Sequence, residues 1–134
     1  ALPAPGGLGL MLAGPTIAMH GDDEQRQLYL RDIVTGQRAW CQLFSEPGAG
    51  SDLASLACKA ERDGDEWRLT GQKVWTTWAH IADFGVCLAR TDADATKRKG
   101  ITYFLIDLHQ AGVDVRPLIH ITGELDWPMV EERR

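Results

Sequence analysis

The sequence has no clean apolar run of membrane-spanning length, no basic stripe, no paired-cysteine framework and none of the common nucleotide fingerprints, and each absence removes a class. The uncharged opening from Ala1 to Met19 is broken by Pro3, Pro5 and Pro15 and by Gly6, Gly7, Gly9 and Gly14, and no positive segment precedes it. Neither a transmembrane helix nor a signal peptide is expected there, and no membrane partner. Lys and Arg number 14 against 19 Asp and Glu, a net charge of −5. The one basic cluster, Lys97-Arg98-Lys99, follows Asp92 and Asp94, so nucleic acid is not an expected partner. Cys41, Cys58 and Cys87 are odd in number and lack CxxC or Cys/His metal spacing. They read as buried thiols of a reducing compartment, which places the protein in the cytoplasm with no metal site. Neither GxGxxG ahead of a helix nor GxxxxGK[ST] occurs, so nicotinamide and ATP are not favoured.

What remains is ordinary in bulk. The chain has 134 residues, 44% hydrophobic and 25% charged, which suits about one globular domain and excludes a complete multidomain enzyme. It begins with Ala rather than Met, and is expected to be a piece of a longer protein. Pro15 to His20 reads as the end of a helix stopped at Gly21. Asp22 and Gln25 have the spacing of a capping box, Leu30, Ile33 and Val34 recur at helical intervals, and Gly36 suits a C-cap. These features predict a helix from about Asp23 to Thr35. After Arg38 the period becomes alternating, with Ala39, Cys41 and Leu43 on one side and Trp40, Gln42 and Phe44 on the other. Further strands are expected at Leu56 to Arg62, Glu66 to Gln72, Phe84 to Thr91, Ile101 to Leu108 and Val113 to Ile119, with Asp63-Gly64 as a hairpin turn. The continuous apolar runs Gly85 to Ala89 and Tyr103 to Ile106 predict strands covered on both faces. The class is α+β: a helical lead-in, then a mostly antiparallel β domain of about six strands, with sandwich and open barrel both admissible.

Two segments carry chemistry. Phe44-Ser45-Glu46-Pro47-Gly48-Ala49-Gly50-Ser51-Asp52 leaves a strand, turns at Pro47 and offers glycine and serine amides that can converge on an oxyanion such as a pyrophosphate. The same composition also describes a surface loop, and on composition alone the loop reading comes first. Thr70-Gly71-Gln72-Lys73-Val74-Trp75-Thr76-Thr77-Trp78 offers an indole face with hydroxyls beside it, suited to a flat aromatic ligand; taken singly, Trp67, Trp75 and Trp78 read as packing aromatics.

Taken together, Ser45 to Leu53, then Asp63-Gly64-Asp65, then Gly71 to Thr77, strongly resemble the middle domain of the acyl-CoA dehydrogenase family. Gly14-Pro15-Thr16, the Gly21 to Leu30 run, Ala89-Arg90-Thr91-Asp92 and Gly112 to Leu118 add to the match, which covers about Gly14 to Glu124. The resemblance implies residues 1–37 as the end of an N-terminal helical domain, 38–124 as the middle β domain, and 125–134 as an atypical tail with the C-terminal helical domain missing. It implies an FAD flavoprotein that removes an α-proton and a β-hydride from a fatty acyl-CoA thioester, giving the trans-2-enoyl-CoA, with an electron-transfer flavoprotein as acceptor and a homo-oligomeric assembly. Gln42, Leu43, Phe44 and Ser45 would lie along the flavin, with Ser45 at the pyrimidine edge. Gly50 and Ser51 would bind the pyrophosphate, Ser51 also lying near the acyl-CoA, while Trp75, Thr76 and Thr77 would wrap the other edge with the Thr77 hydroxyl near N5. The catalytic base would be a glutamate of the C-terminal helical domain, so no catalytic residue is assigned here, Glu46 included, and the isolated chain is expected to be inactive. Arg98 and Lys99 read first as a solvated loop, with a CoA phosphate as the alternative. Leu125 to Arg134 departs from the family pattern, and Pro128 predicts an interrupted strand and an unpaired sheet edge. An acyl-CoA oxidase on the same scaffold, a non-catalytic flavin- or acyl-CoA-binding remnant, and an unrelated β-sandwich binding module remain as alternatives.

Overall fold

A computed structural model describes residues 7–96, 98–117 and 129–132. A π-helical turn, Gly9–Ala13, runs directly into α1 (Gly14–His20). After Gly21, α2 spans Asp23–Thr35, the limits that the local signals predict. Asp22 accepts from the Gln25 amide while Gln25 accepts from the Asp22 amide, so two orphan donors are satisfied at the start. At the other end Gly36 takes φ +67, and the Gln37 amide donates back to the Asp32 carbonyl.

Seven strands follow: β1 (Trp40–Leu43), β2 (Lys59–Asp63), β3 (Glu66–Lys73), β4 (Phe84–Arg90), β5 (Ile101–Asp107), β6 (Val113–Arg116) and β7 (Met129–Glu132). They form one sheet in the order β1-β4-β2-β3-β7-β6, with β5 on β4, curled into a half-barrel rather than split into facing layers. Four of the six pairings are antiparallel, as expected; β1 and β2 lie parallel to β4. The strand expected from Leu56 starts only at Lys59, because a 3-10 turn, Leu53–Ser55, occupies the approach. The C-terminal expectation is corrected. Met129–Glu132 form a strand that pairs with both β3 and β6, so the expected atypical tail from residue 125 contributes to the sheet. Pro128 and the expected strand end at Ile119 lie outside the described residues.

The alternation read in β1 sets the two cores. Cys41 and Leu43 enter the concave cluster with Cys58, Cys87, Ile106 and Val130. Trp40 and Phe44 face the helices, packing with Ala13, Ile17, Ile33 and Val86. Both faces of β4 and β5 are thereby covered, as their apolar runs predict. Tyr29, Trp40 and Phe84 fix α2 to the sheet, with ring centroids 5.0–5.5 Å apart, each such pair adding about 0.5–1.5 kcal/mol beyond area burial. All three cysteines are buried and free, and burial pushes the Cys41 thiol up to about 12, so it stays protonated and inert.

Gly71 marks the closest approach between β2 and β3. A Cβ there would lie 2.7 Å from Cys58 Cβ and 2.8 Å from Cys58 Cα. Gly71→Ala is expected to cost about 1–3 kcal/mol in urea unfolding. Adding Cys58→Ala does not restore it, because the clashing Cα and Cβ remain. Full recovery in the double variant would contradict this packing.

Candidate cofactor-binding site

A cavity of about 370 Å³ opens where the end of β1 meets the segment after β3. Gln42, Phe44 and Ser45 line it from one side, Trp75, Thr77 and Trp78 from another, and Gly7, Leu8 and Met11 of the helical lead-in close a third. Five of the sequence-predicted residues therefore meet around one space. Two others do not face it: the Leu43 and Thr76 side chains have no exposed surface, so either can reach a ligand only through its backbone. Period-2 geometry explains Leu43, which sits between Gln42 and Phe44 and so points to the opposite face of the strand.

Gly50 and Ser51 lie on the exposed loop and not in the cavity wall. The loop is pinched by Glu46 and Ala49, each amide donating to the other's carbonyl at 2.8 and 3.1 Å. No residue of this loop has a positive φ, so the amides do not form a right-left nest of the kind the composition suggests. Two observations nevertheless fit an approaching anion. A Cβ on Gly48 or Gly50 would meet nothing within 4 Å, so nothing in the chain itself requires glycine at either place. Among the described residues, no hydrogen bond uses the Gly50 or Ser51 amide. Space and donors are thus left beside the loop, and an indole face with hydroxyls is left in the cavity. This donor set fits a dinucleotide flavin.

A buried ion pair holds the two segments in register. Lys73 Nζ donates to Glu46 Oε1 at 2.7 Å, to the Leu88 carbonyl at 2.7 Å and to the Phe44 carbonyl at 3.2 Å. Glu46 in turn accepts from the Ala57 amide at 2.6 Å and the Cys58 amide at 2.9 Å. One residue on, the Val74 amide donates to the Ser45 carbonyl at 2.9 Å. Burial pushes the Glu46 carboxyl up, but the Lys73 hydrogen bond, the two amides and the Lys73 charge outweigh it, and its pKa falls below the ordinary 4.5. An anion held by three donors in this way is a poor proton acceptor.

Sequence reasoning missed Gly7, Leu8 and Met11 and gave Trp78 no site role. Trp75 and Trp78 both adopt positive φ, 59° and 65°, which costs a bulky residue on the order of 1–2 kcal/mol. Two amides, Ile81 and Ala82, hold the Trp78 carbonyl, and its ring lies against Gly7. The lead-in left no signal, because its contact with Trp78 spans about half the chain. Among the described residues, no group of three or more His, Cys, Asp or Glu could hold a metal, and no helix is long and apolar enough to cross a membrane.

Glu46→Ala is expected to cost about 3–5 kcal/mol, because it strands a buried ammonium. Glu46 has a depressed folded-state pKa, so its stabilisation is complete above the ordinary carboxylate range and is lost as pH falls through the folded value. The urea midpoint of the parent chain should therefore drop more steeply between roughly pH 5 and pH 2 than that of Glu46→Gln. Parallel pH profiles would remove the carboxylate from this account. Gly50→Ala, by contrast, should leave the unfolding free energy within about 0.5 kcal/mol of the parent in urea unfolding.

Residues 41–131 match the family model for the acyl-CoA dehydrogenase middle domain. The chain is 60% identical over 112 residues to acyl-CoA dehydrogenase FadE34 of Mycobacterium tuberculosis, covering 84% of this chain but 16% of that protein. The solved structure of the Tcur3481-Tcur3483 steroid ACAD superposes with a TM-score of 0.90 at 34% identity, over 94% of this chain and 33% of that one. A glutaryl-CoA dehydrogenase from Mycobacterium smegmatis, solved in complex with FADH2, superposes at 0.79 with 27% identity, over 92% of this chain and 31% of that one. The chain thus spans a third or less of the length of these three relatives, and on the family-model match it belongs to the acyl-CoA dehydrogenase family, whose middle domain it carries.

Proposed function

We propose that this chain provides the middle-domain wall of an FAD site in an enzyme that oxidises acyl-CoA thioesters to trans-2-enoyl-CoA products. The observation that carries the reading is the single cavity in which Gln42, Phe44 and Ser45 meet Trp75 and Thr77. Bound FAD would supply the acceptor for the β-hydride. The residues of this chain bind and orient. Ser45 and Thr77 present hydroxyls at the cavity, Ser45 toward the pyrimidine edge and Thr77 toward N5, where charge and protons collect on reduction. Trp75, 60% exposed, offers its indole to the edge of the ring system and keeps water from it. The backbones of Leu43 and Thr76 continue these two walls. The Gly50 and Ser51 amides and the Ser51 hydroxyl receive the pyrophosphate, with Ser51 also toward the acyl-CoA.

No Asp, Glu or His lines the cavity among the described residues. The α-proton is therefore taken by a base supplied from outside these residues, for which the family pattern points to a glutamate of a helical domain. Electron transfer to a separate flavoprotein and a homo-oligomeric, cytoplasmic enzyme complete the reading. Turnover by this chain alone is not expected. A steroid-bearing thioester is a second substrate reading beside a straight fatty chain, supported by the superposition on a steroid ACAD.

FAD titration followed by flavin fluorescence tests the site. Binding by the isolated chain should be weak, since the lining closes only part of the cavity. In a longer protein containing these residues, Ser51→Ala with Trp75→Ala should reduce FAD retention at least about tenfold, the loss of roughly 1.4 kcal/mol. Gly50→Ala, neutral for stability, should also weaken FAD. Retention unchanged in these variants would remove the placement. Turnover of straight-chain against steroid-bearing CoA thioesters separates the two substrate readings.

A further inference from the structure

The Glu46–Lys73 pair touches more of the chain than an ion pair that only fills space would need. Glu46 stands at the start of the exposed loop, and its carboxylate takes the amides of Ala57 and Cys58 at the loop's end. It therefore closes the loop end to end across a separation of 12 residues to Cys58. Lys73 stands at the end of β3, and the segment it leads, from Val74 to Trp78, forms the opposite wall of the cavity. Its three donors reach the end of β1, the loop and β4 together.

A second cation provides the contrast. Arg90, at the end of β4, donates to the carbonyls of Ala54 at 2.7 Å and Leu56 at 3.4 Å. Both carbonyls lie in the second half of the loop. Neither carbonyl belongs to the cavity lining. A buried ion pair contributes little net stability over an apolar pair of the same volume. What an apolar pair cannot reproduce is the fixed direction of five hydrogen bonds, one between the two side chains and four onto three separate stretches of backbone.

We infer that Glu46 and Lys73 are positioning residues that couple the two halves of the cofactor site, so that the loop from Pro47 to Leu56 and the wall from Val74 to Trp78 order as one unit. Arg90 holds the second half of the loop. The cofactor role rests on the proposed FAD reading, whereas the coupling itself is a property of the chain without ligand. Dinucleotide and ring therefore bind to a surface whose two parts are set by one buried contact. A variant that breaks the contact should lose the binding of riboflavin, which lacks the pyrophosphate, along with that of FAD.

Hydrogen exchange read by mass spectrometry on the 134-residue chain, without ligand, tests the coupling. Glu46→Gln should raise exchange about tenfold or more in both the 45–58 and 73–78 segments, while the β4–β5 amides stay protected. Arg90→Met should raise it in 52–58 alone. A rise confined to the loop in Glu46→Gln, or a uniform rise that includes β4 and β5, overturns the inference. Should Glu46→Gln lose its fold by circular dichroism, Glu46→Gln with Lys73→Met removes the stranded charge, and the same two-segment pattern is expected there. Flavin titration of the same proteins adds a readout that a purely structural role would not move. Glu46→Gln should weaken FAD and riboflavin by the same factor, and Arg90→Met should weaken FAD only. If a longer protein containing these residues binds neither flavin, the FAD reading falls, and the exchange pattern still decides the coupling.

Discussion

An ammonium group in the interior of a small domain is the constraint around which this structure is arranged. Lys73 is 3% exposed, and leaving such a charge unpaired costs several kcal/mol after relaxation. The surroundings satisfy all three of its protons with one carboxylate and two backbone carbonyls. That solution is demanding. It requires the ends of β1 and β3 to lie side by side, and it requires Glu46 to turn inward just as the chain leaves the sheet. Glu46 then needs further donors, and the Ala57 amide at Oε2 and the Cys58 amide at Oε1 meet it only if the loop folds back on itself. The shape of the loop and the position of the Trp75 segment are thus consequences of one buried charge.

Local signals made the helices legible, and their absence hid the pairings. The limits of α2 could be read because the capping box and Gly36 lie within a turn of the residues they cap. The face pattern of β1 could be read because alternation is a property of neighbouring residues, which is why Cys41 and Leu43 fall in one core and Trp40 and Phe44 in the other. The parallel pairing of β1 with β4 joins residues some forty positions apart and leaves no mark in either segment. The tail was misread for a related reason. Pro128 argues against a strand that runs through it, and β7 begins one residue later.

The same division holds for the site. The family resemblance carried by the two motifs pointed to Ser45, Trp75 and Thr77, and the fold brings them to one cavity. Spacing could not tell which members of a run face the ligand, so Leu43 and Thr76 stand in the motifs with their side chains buried. Nor could it show Gly7 against Trp78, a contact made across about half the chain. The loop glycines were legible as glycines but not in their reason. Neither Gly48 nor Gly50 serves a turn with positive φ, and neither relieves a clash within the chain.

Strain and electrostatics divide the labour of this surface. Trp75 and Trp78 hold left-handed backbone that glycine or asparagine would adopt at less cost, and they remain 60% and 45% exposed, so burial does not offset the strain. Large aromatic groups kept in costly conformations at a cavity mouth are placed for what enters it. Glu46, outside the cavity lining, is anchored by three donors and is held ionised. Rigid aromatic walls, hydroxyls and open amides recognise a flat, polyanionic ligand, whereas a general base needs a carboxylate or imidazole free to change its protonation. The aromatic rings and hydroxyls stand in the cavity wall and the open amides on the loop beside it, whereas no Asp, Glu or His stands in the wall among the described residues.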